Sequence, residues 1–390
     1  MQLLKHARRL GLFLIGQRGC CRINFSRRLT LCCAMLPMVF WATASCRPVT
    51  AADWWVDANA TAEGDGSREK PFARIQAAAE VAMPGDTIHV LPGVYRERVM
   101  PPRGGLPGKP IVYRSEVRHG AIVKGSDVWT PTWRKEHAGL FSAEVDPAMF
   151  TDTGYVDGGN PYRITYDWDQ ERNNRPPYPF TKVAWTLGQV FVDGRPLRET
   201  SSLDELTETP ASWRYDPETN RIWINLGGDV PSAHHVELTT RRGVFRPLAK
   251  GLGYIEVRGF VFEHCANQFP AQFWQKASNA QSGMVGTRGG HHWVIADNII
   301  RYAKSVGLTF GVSGGRSGAV YDNERPAQAE PNREQSGFHR IEGNIIYANG
   351  AVGAMGCGHR DVIIRRNLFL DNNRLQNTAY ETGGIKTHQA

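Results

Sequence analysis

Past residue 52 the chain is poor in cysteine. Of its seven, Cys20, Cys21, Cys32, Cys33 and Cys46 precede that point and only Cys265 and Cys357 follow. Two cysteines build neither a disulfide framework nor a zinc-ligand spacing, so they read as small buried core residues. Acidic side chains are missing from residues 1–52, which hold eight basic ones. Removing those eight from the 46 Lys and Arg leaves 38 against 38 Asp and Glu, so the formal +8 belongs to the leader and the body is neutral. A polyanion-binding surface is therefore not indicated, and no nucleic-acid partner is expected. Long apolar runs are also absent. The stretch LTLCCAMLPMVFWATA, residues 29–44, is too short to span a bilayer comfortably.

A basic n-region, that apolar stretch and small residues before Asp53 read as a secretory signal peptide over 1–52. Thr50 and Ala52 suit cleavage after Ala52, which predicts a secreted or periplasmic protein. TASC ending at Cys46 is a weaker lipoprotein-type alternative, because Thr43 stands where Leu is usual. The length of residues 1–26 raises the question of a start codon assigned too early.

The mature chain opens on WWVDANATAEGDGSREKPFARIQAAAEVAMPGDTIHVLPGVYRERV, Trp54 to Val99. WWVD alternates as an entering strand and GDGS is a turn. PFARIQAAAEVA spaces apolar residues as a short helix behind Pro71, and TIHVLPGVY is a strand broken at Pro-Gly, with another strand beginning at Arg96. A helix closing one end of stacked strands is what a solenoid needs to hide an open edge.

Repeats follow. YIEVRGFVFEHC (254–265), HWVIADNIIRYA (292–303), HRIEGNIIYANG (339–350) and DVIIRRNLFLDN (361–372) each give an alternating apolar strand, an Asn or Gly, and a second short strand. Asn298 to Asn344 is 46 residues and Asn344 to Asn367 is 23, so one gap is twice the other. This predicts an all-β, right-handed parallel β-helix of the pectin-lyase-like kind, with turns stacked at roughly 4.8 Å. The three asparagines read as a structural ladder, tolerating left-handed backbone and hydrogen-bonding along the stack.

Between cap and repeats the texture changes. VFVDGRPLRE (190–199) reads as a hairpin around Asp193-Gly194 and WRYDPETNRIWINL (213–226) as another around Pro217 to Asn220. The expected organisation is a leader over 1–52, the cap and first turns over 53–129, a β-sandwich-like insertion over 130–240, and β-helix repeats over 241–390.

The order of GDGSREKPFARIQAAAEVAMPGDTIHVLPGVYRERV, IVKGSDVW, NPYRITYDW, VFVDGRPL, YIEVRGFVFEH, HWVIADNIIRYA and ETGGIKTH resembles glycoside hydrolase family 120, the β-xylosidase family, from about Trp54 onward. The opening segment is shared by many secreted carbohydrate-active β-helix proteins and speaks to the fold. NPYRITYDW and ETGGIKTH are narrower and speak to the family. The resemblance implies a β-helix interrupted by a sandwich and a retaining cleavage, for which two carboxyl groups stand roughly 5–5.5 Å apart as nucleophile and acid/base. It also implies that both lie on turns following ETGGIKTH. The expectation is thus a chain that stops before its catalytic pair and is inactive as it stands, with no catalytic residue assigned in it.

Sugar contacts are expected from Glu381, Lys386 and His388 of ETGGIKTH, with Trp168 offering an apolar platform to a pyranose face. Lys386 and His388 should leave their strand opposite Ile385. Asp157, Asp167 and Asp169 are alternative acids near NPYRITYDW; Asp169 and Glu171, beside Arg172 and Arg175, read rather as solvated loop charges. His291 and His292 suggest metal ligands at first sight. Adjacent strand residues point to opposite faces, so no metal and no cofactor are expected. The polar stretch 311–336 reads as a long loop on the binding face or a disordered one. Two other functions stay open: a polysaccharide lyase, for which the repeats lack the usual Asp cluster for calcium, and a non-catalytic β-helix that binds glycan or merely holds shape at the cell surface. An oligosaccharide or polysaccharide is the expected partner.

Overall fold

The computed structural model describes residues 50–61, 63–151, 159–166, 185–268, 283–311, 336–376 and 382–388. Among them three sheets are made wholly of parallel strands. The first stacks Asp53–Val56, Thr87–Val90, Ile111–Ser115, Ile255–Arg258, Val294–Ala296, Arg340–Glu342 and Ile363–Arg365. The second stacks Gly93–Tyr95, Ala121–Lys124, Val261–Cys265, Ile299–Ala303, Ile345–Tyr347 and Leu368–Leu370. The third holds Val285–Gly286, Val306–Thr309, Val352–Cys357 and Gly383–His388. The chain visits the sheets in turn and returns one strand higher, as a right-handed parallel β-helix does.

Alternation within each strand builds the core. In the first sheet Ile88, Tyr113, Val257, Ile295 and Ile341 are in register and fully buried. In the second, Tyr95, Val123, Phe262, Ile300 and Ile346 form the matching inner row. Each such side chain contributes about 1.5–3 kcal/mol by leaving water. Both rows belong to one continuous apolar cluster.

Three left-handed corners per turn let the chain change sheet. Tyr254, Gly259 and His264 have positive φ, as do His292, Asp297 and Tyr302, then Phe338, Gly343 and Ala348, then Asp361, Arg366 and Asp371. The spacing is five residues each time, whatever side chain occupies the corner. The expected asparagine ladder is present. Asn298 and Asn344 each accept from the turn below and donate along the stack, to Asn344 and Asn367 in turn. A second ladder, Asn349 over Asn372, runs at the next corner.

The entry helix, Ile75–Val81, packs Ile75, Ala78 and Ala79 on the core. Its N-terminal N–H groups are satisfied from outside the segment: Glu97 accepts from Ile75 N at 2.7 Å and Gln76 N at 3.0 Å. No strand begins at Arg96; Val99 instead makes an isolated parallel bridge to Phe245.

Between Lys124 and Ile255 the chain leaves the β-helix and returns to the next turn, since Ile255 pairs directly with Ile111 and Val261 with Ile122. The excursion makes two larger sheets and a two-stranded one that pairs Thr165–Tyr166 with Trp185–Thr186. Of the larger two, one pairs Ser126–Val128, Val236–Thr239, Val190–Val192 and Arg195–Pro196; the other pairs Arg134–Lys135, Phe141–Glu144, Arg221–Asn225, Ser212–Asp216 and Arg198–Glu199. Trp213, Ile222, Ile224, Val190 and Leu238 fill a second core. Both hairpins form, the first through Asp193 (φ 49°) and Gly194 (φ 74°), the two positive-φ residues a tight twisted hairpin needs. No helix among the described residues is long and apolar enough to cross a membrane.

Candidate functional site

A cleft of about 400 Å³ opens where the sandwich meets the corner between the second and third β-helix sheets. Gln189, Leu197, Glu199 and Trp213 line it from the sandwich, and Lys304, Gly350 and Arg374 from three successive turns. That volume falls in the range of small-ligand pockets.

Its floor is an ion pair. Lys304 Nζ donates to Glu199 Oε2 at 2.5 Å and to the Gly188 carbonyl at 3.1 Å, and both side chains are buried. Burial pulls Lys304 below the usual amine range while Glu199 opposes it by favouring the charged form. Glu199 also accepts the Thr186 N–H at 2.8 Å. Gln189 fixes the wall, its amide donating to the carbonyls of Cys265 and Tyr302 at 3.0 Å each. A second carboxylate, Glu205, accepts from Arg198 and from the Ser201 N–H and hydroxyl, all at 2.8 Å. The Ser201 N–H is the main reason its acidity is strengthened.

Beneath the sandwich, the outer row of the second sheet reads Lys124, Glu263, Arg301, Tyr347 in register. Glu237, on Val236–Thr239 of the sandwich, drops into it. Lys124 Nζ reaches Glu237 at 3.2 Å and Glu263 at 3.1 Å. Arg96 adds a 2.5 Å contact to Glu237, and Arg301 a 2.6 Å contact to Glu263. Burial pushes Glu237 up, but His264, Arg96 and Lys124 outweigh it and hold the carboxyl well below the usual range. Two neighbouring carboxylates on stacked elements are the right kind of groups for glycoside cleavage. These two are sealed and fully engaged, whereas a general acid needs a raised pKa and an open face. They join sandwich to solenoid.

Of the residues expected from sequence to touch sugar, Lys386 lies on Gly383–His388, half-buried, in register with Met355, while Ile385 sits above Ala354 of the core. The two therefore take opposite faces, as the alternation required. His388 is on the same strand, in register with Cys357. Trp168 and Glu381, like Asp157, Asp167, Asp169, Glu171, Arg172, Arg175 and most of the 311–336 loop, lie outside the described residues. His291 and His292 depart from expectation. Their rings meet, Nδ1 to Nδ1 at 2.9 Å, because His292 is a left-handed corner (φ 55°) and not a strand position. His292 stacks between Tyr254 and Phe338, at 4.6 and 4.9 Å. No group of three His, Cys, Asp or Glu suited to a metal occurs among the described residues.

Sequence reading missed Glu199, Lys304 and Arg374. For Lys304 a signal existed: it directly follows NIIRYA, at the corner where the sister repeat NIIYANG has Gly350. A lone charge at a corner otherwise given to a small residue marks a turn facing something other than water.

The fold and cleft define a class: a β-helix interrupted by a sandwich, with a ligand-sized cleft at their junction. No family model matches the chain. XylC, solved in complex with xylose, shares 25% identity and a TM-score of 0.71 over 86% of this chain and 56% of its own, so the chain spans little more than half of XylC. A solved glycoside hydrolase aligns at TM-score 0.43 and 12% identity over 78% of this chain and 77% of its own, too distant to carry argument. The uncharacterized protein YwoF of Bacillus subtilis (strain 168) is 31% identical over 74 residues, 19% of this chain and 16% of YwoF.

Proposed function

We propose that the protein is a carbohydrate-active β-helix of the β-xylosidase type, and that the cleft at the helix–sandwich junction holds a short oligosaccharide. The observation that carries this reading is the likeness to XylC, solved with xylose, across 86% of the chain, joined to the order of motifs resembling glycoside hydrolase family 120. Glu381, Lys386, His388 and Trp168 remain the proposed sugar contacts.

A second part of the proposal concerns turnover. The carboxylates lining the cleft, Glu199 and Glu205, are each engaged by a cation and a backbone N–H. Neither is free to attack an anomeric carbon or to protonate a leaving oxygen. We therefore assign glycan binding, and no hydrolysis, to the polypeptide of residues 53–390. Titration with xylotriose should show binding, while aryl β-xylosides, arabinosides and fucosides should turn over at the background rate. Robust turnover abolished by Glu381→Gln would refute this and place the acid inside the chain. Export with cleavage near Ala52 belongs to the same proposal; an intact Met1 on cytoplasmic material would count against it.

A further inference from the structure

We propose that the cleft is selective for a saccharide bearing a carboxylate, a uronosyl residue, and that Arg374 is the group that takes it; this rests on the reading of the cleft as a glycan site. The argument is one of charge. Among the described residues, five ionisable side chains line the cleft. Lys304 pairs with Glu199 at 2.5 Å and Arg198 with Glu205 at 2.8 Å, so four of them cancel. Arg374 is left over. Among the described residues no carboxylate comes within ion-pair distance of it, and Asp371, three residues back, acts on it only through space.

What Arg374 does touch is an aromatic face. Its guanidinium lies 5.7 Å from the centre of the Tyr302 ring. Arg301 lies 5.3 Å from the same ring, but its charge is answered by Glu263 at 2.6 Å and its second nitrogen donates to the Tyr347 hydroxyl at 2.6 Å. The ring supports the Arg374 guanidinium without hydrogen-bonding it, which leaves its donors for a ligand. A guanidinium is a rigid planar fork, matched to a carboxylate by two parallel N–H···O bonds. The buried Lys304–Glu199 pair on the floor is already neutral, and Arg374, itself exposed, carries the one unanswered charge, so one anionic group on an otherwise neutral sugar fits the cleft and a polyanion does not. The size, about 400 Å³, limits the ligand to roughly one or two sugar rings.

The test compares xylotriose, the same oligosaccharide bearing one glucuronic acid, and a singly sulfated counterpart, by calorimetric titration of the full chain at low and moderate salt. The uronate ligand should bind about tenfold more tightly than the neutral one, a gap of about 1.4 kcal/mol by the affinity relation. The gap should shrink with salt and exceed that of the sulfated sugar, whose much less basic oxygens are weaker hydrogen-bond acceptors for the fork. Arg374→Gln should bring the uronate ligand to the neutral ligand's affinity, and Arg374→Lys should restore only part of the gap. Equal binding of neutral and uronate ligands, a preference for the sulfated one, or a preference that survives Arg374→Gln overturns the inference alone. Failure of every ligand to bind overturns the glycan reading of the cleft, and this inference with it.

Discussion

Lys304 Nζ and Glu199 Oε2 stand 2.5 Å apart, both buried, and join residues 105 positions apart in sequence across the junction of solenoid and sandwich. Such a pair adds little net stability when whole, since desolvation offsets most of the attraction, but removing one partner strands a buried charge. Lys304→Met should therefore destabilise the protein by about 3–5 kcal/mol. The double change Lys304→Met with Glu199→Gln should recover most of that loss, because a neutral amide still accepts the Thr186 N–H. Urea unfolding of the three variants decides it; a double variant as unstable as the single would defeat the argument.

Acid should weaken the fold earlier than carboxylates alone predict. His339 is fully buried, and burial, reinforced by the nearby His359, His291 and His292, brings its pKa from 6.5 down to about 3. A depressed histidine contributes stability that is complete above its unfolded pKa. The contribution erodes as pH falls from 6.5 toward 3, by about 1.4 kcal/mol per pH unit. Glu237 is also depressed, so its own contribution is complete above 4.5 and fades only below that value. The loss between pH 6.5 and 4.5 thus belongs to histidine. Unfolding free energy measured across that window should fall, and His339→Gln, which keeps an acceptor for the Trp293 N–H, should lessen the slope without abolishing it, since burial also depresses His264, His291 and His359.

The asparagine ladder gives a third measurement. Asn344 Oδ1 accepts from Asn298 N at 3.0 Å and Nδ2 at 3.1 Å, while its own Nδ2 donates to the Ile295 carbonyl and to Asn367 Oδ1 at 2.9 Å each. Asn344→Ala leaves buried groups on two turns without partners and should cost about 3 kcal/mol. Asn344→Asp should be worse, since it sets two acceptors against each other and buries a charge. An aspartate variant as stable as wild type in thermal unfolding would contradict the ladder's role.

These cases separate what the sequence made legible from what it hid. The asparagines repeat at 46 and 23 residues, and strand alternation around them fixes which side chains face inward, so the solenoid and its ladder follow from local pattern. Both hairpins were legible for the same reason: a turn chemistry beside alternating strands. The junction was not. Glu237 and Glu263, or Glu199 and Lys304, are brought together only because the excursion folds back over the solenoid before the chain resumes at the next turn, and nothing within a few residues of any of them records the partner. The adjacent histidines misled by the opposite route. A period of two was assumed where a left-handed corner interrupts it, and only the five-residue rhythm of corners across all four repeats exposes His292 as one.

That rhythm makes the last prediction. Arg366 sits at a corner with φ 53° and is exposed, so its side chain adds strain and no burial. Left-handed backbone costs an ordinary L residue about 1–2 kcal/mol, and glycine returns part of that as lost freedom in the unfolded chain. Arg366→Gly should thus stabilise the protein by up to about 1 kcal/mol. Gly343 is the same corner one turn below, with φ 68°, and a Cβ there would lie 2.7 Å from Asp297 Oδ1. Gly343→Val should destabilise by more than Arg366→Gly gains, since β-branching adds to the backbone strain and the aspartate must move. Opposite signs for the two changes in one unfolding assay are the expected outcome, and the sign of Arg366→Gly is the test of the corner conformation; a destabilising Arg366→Gly would mean that the corner relaxes around its side chain.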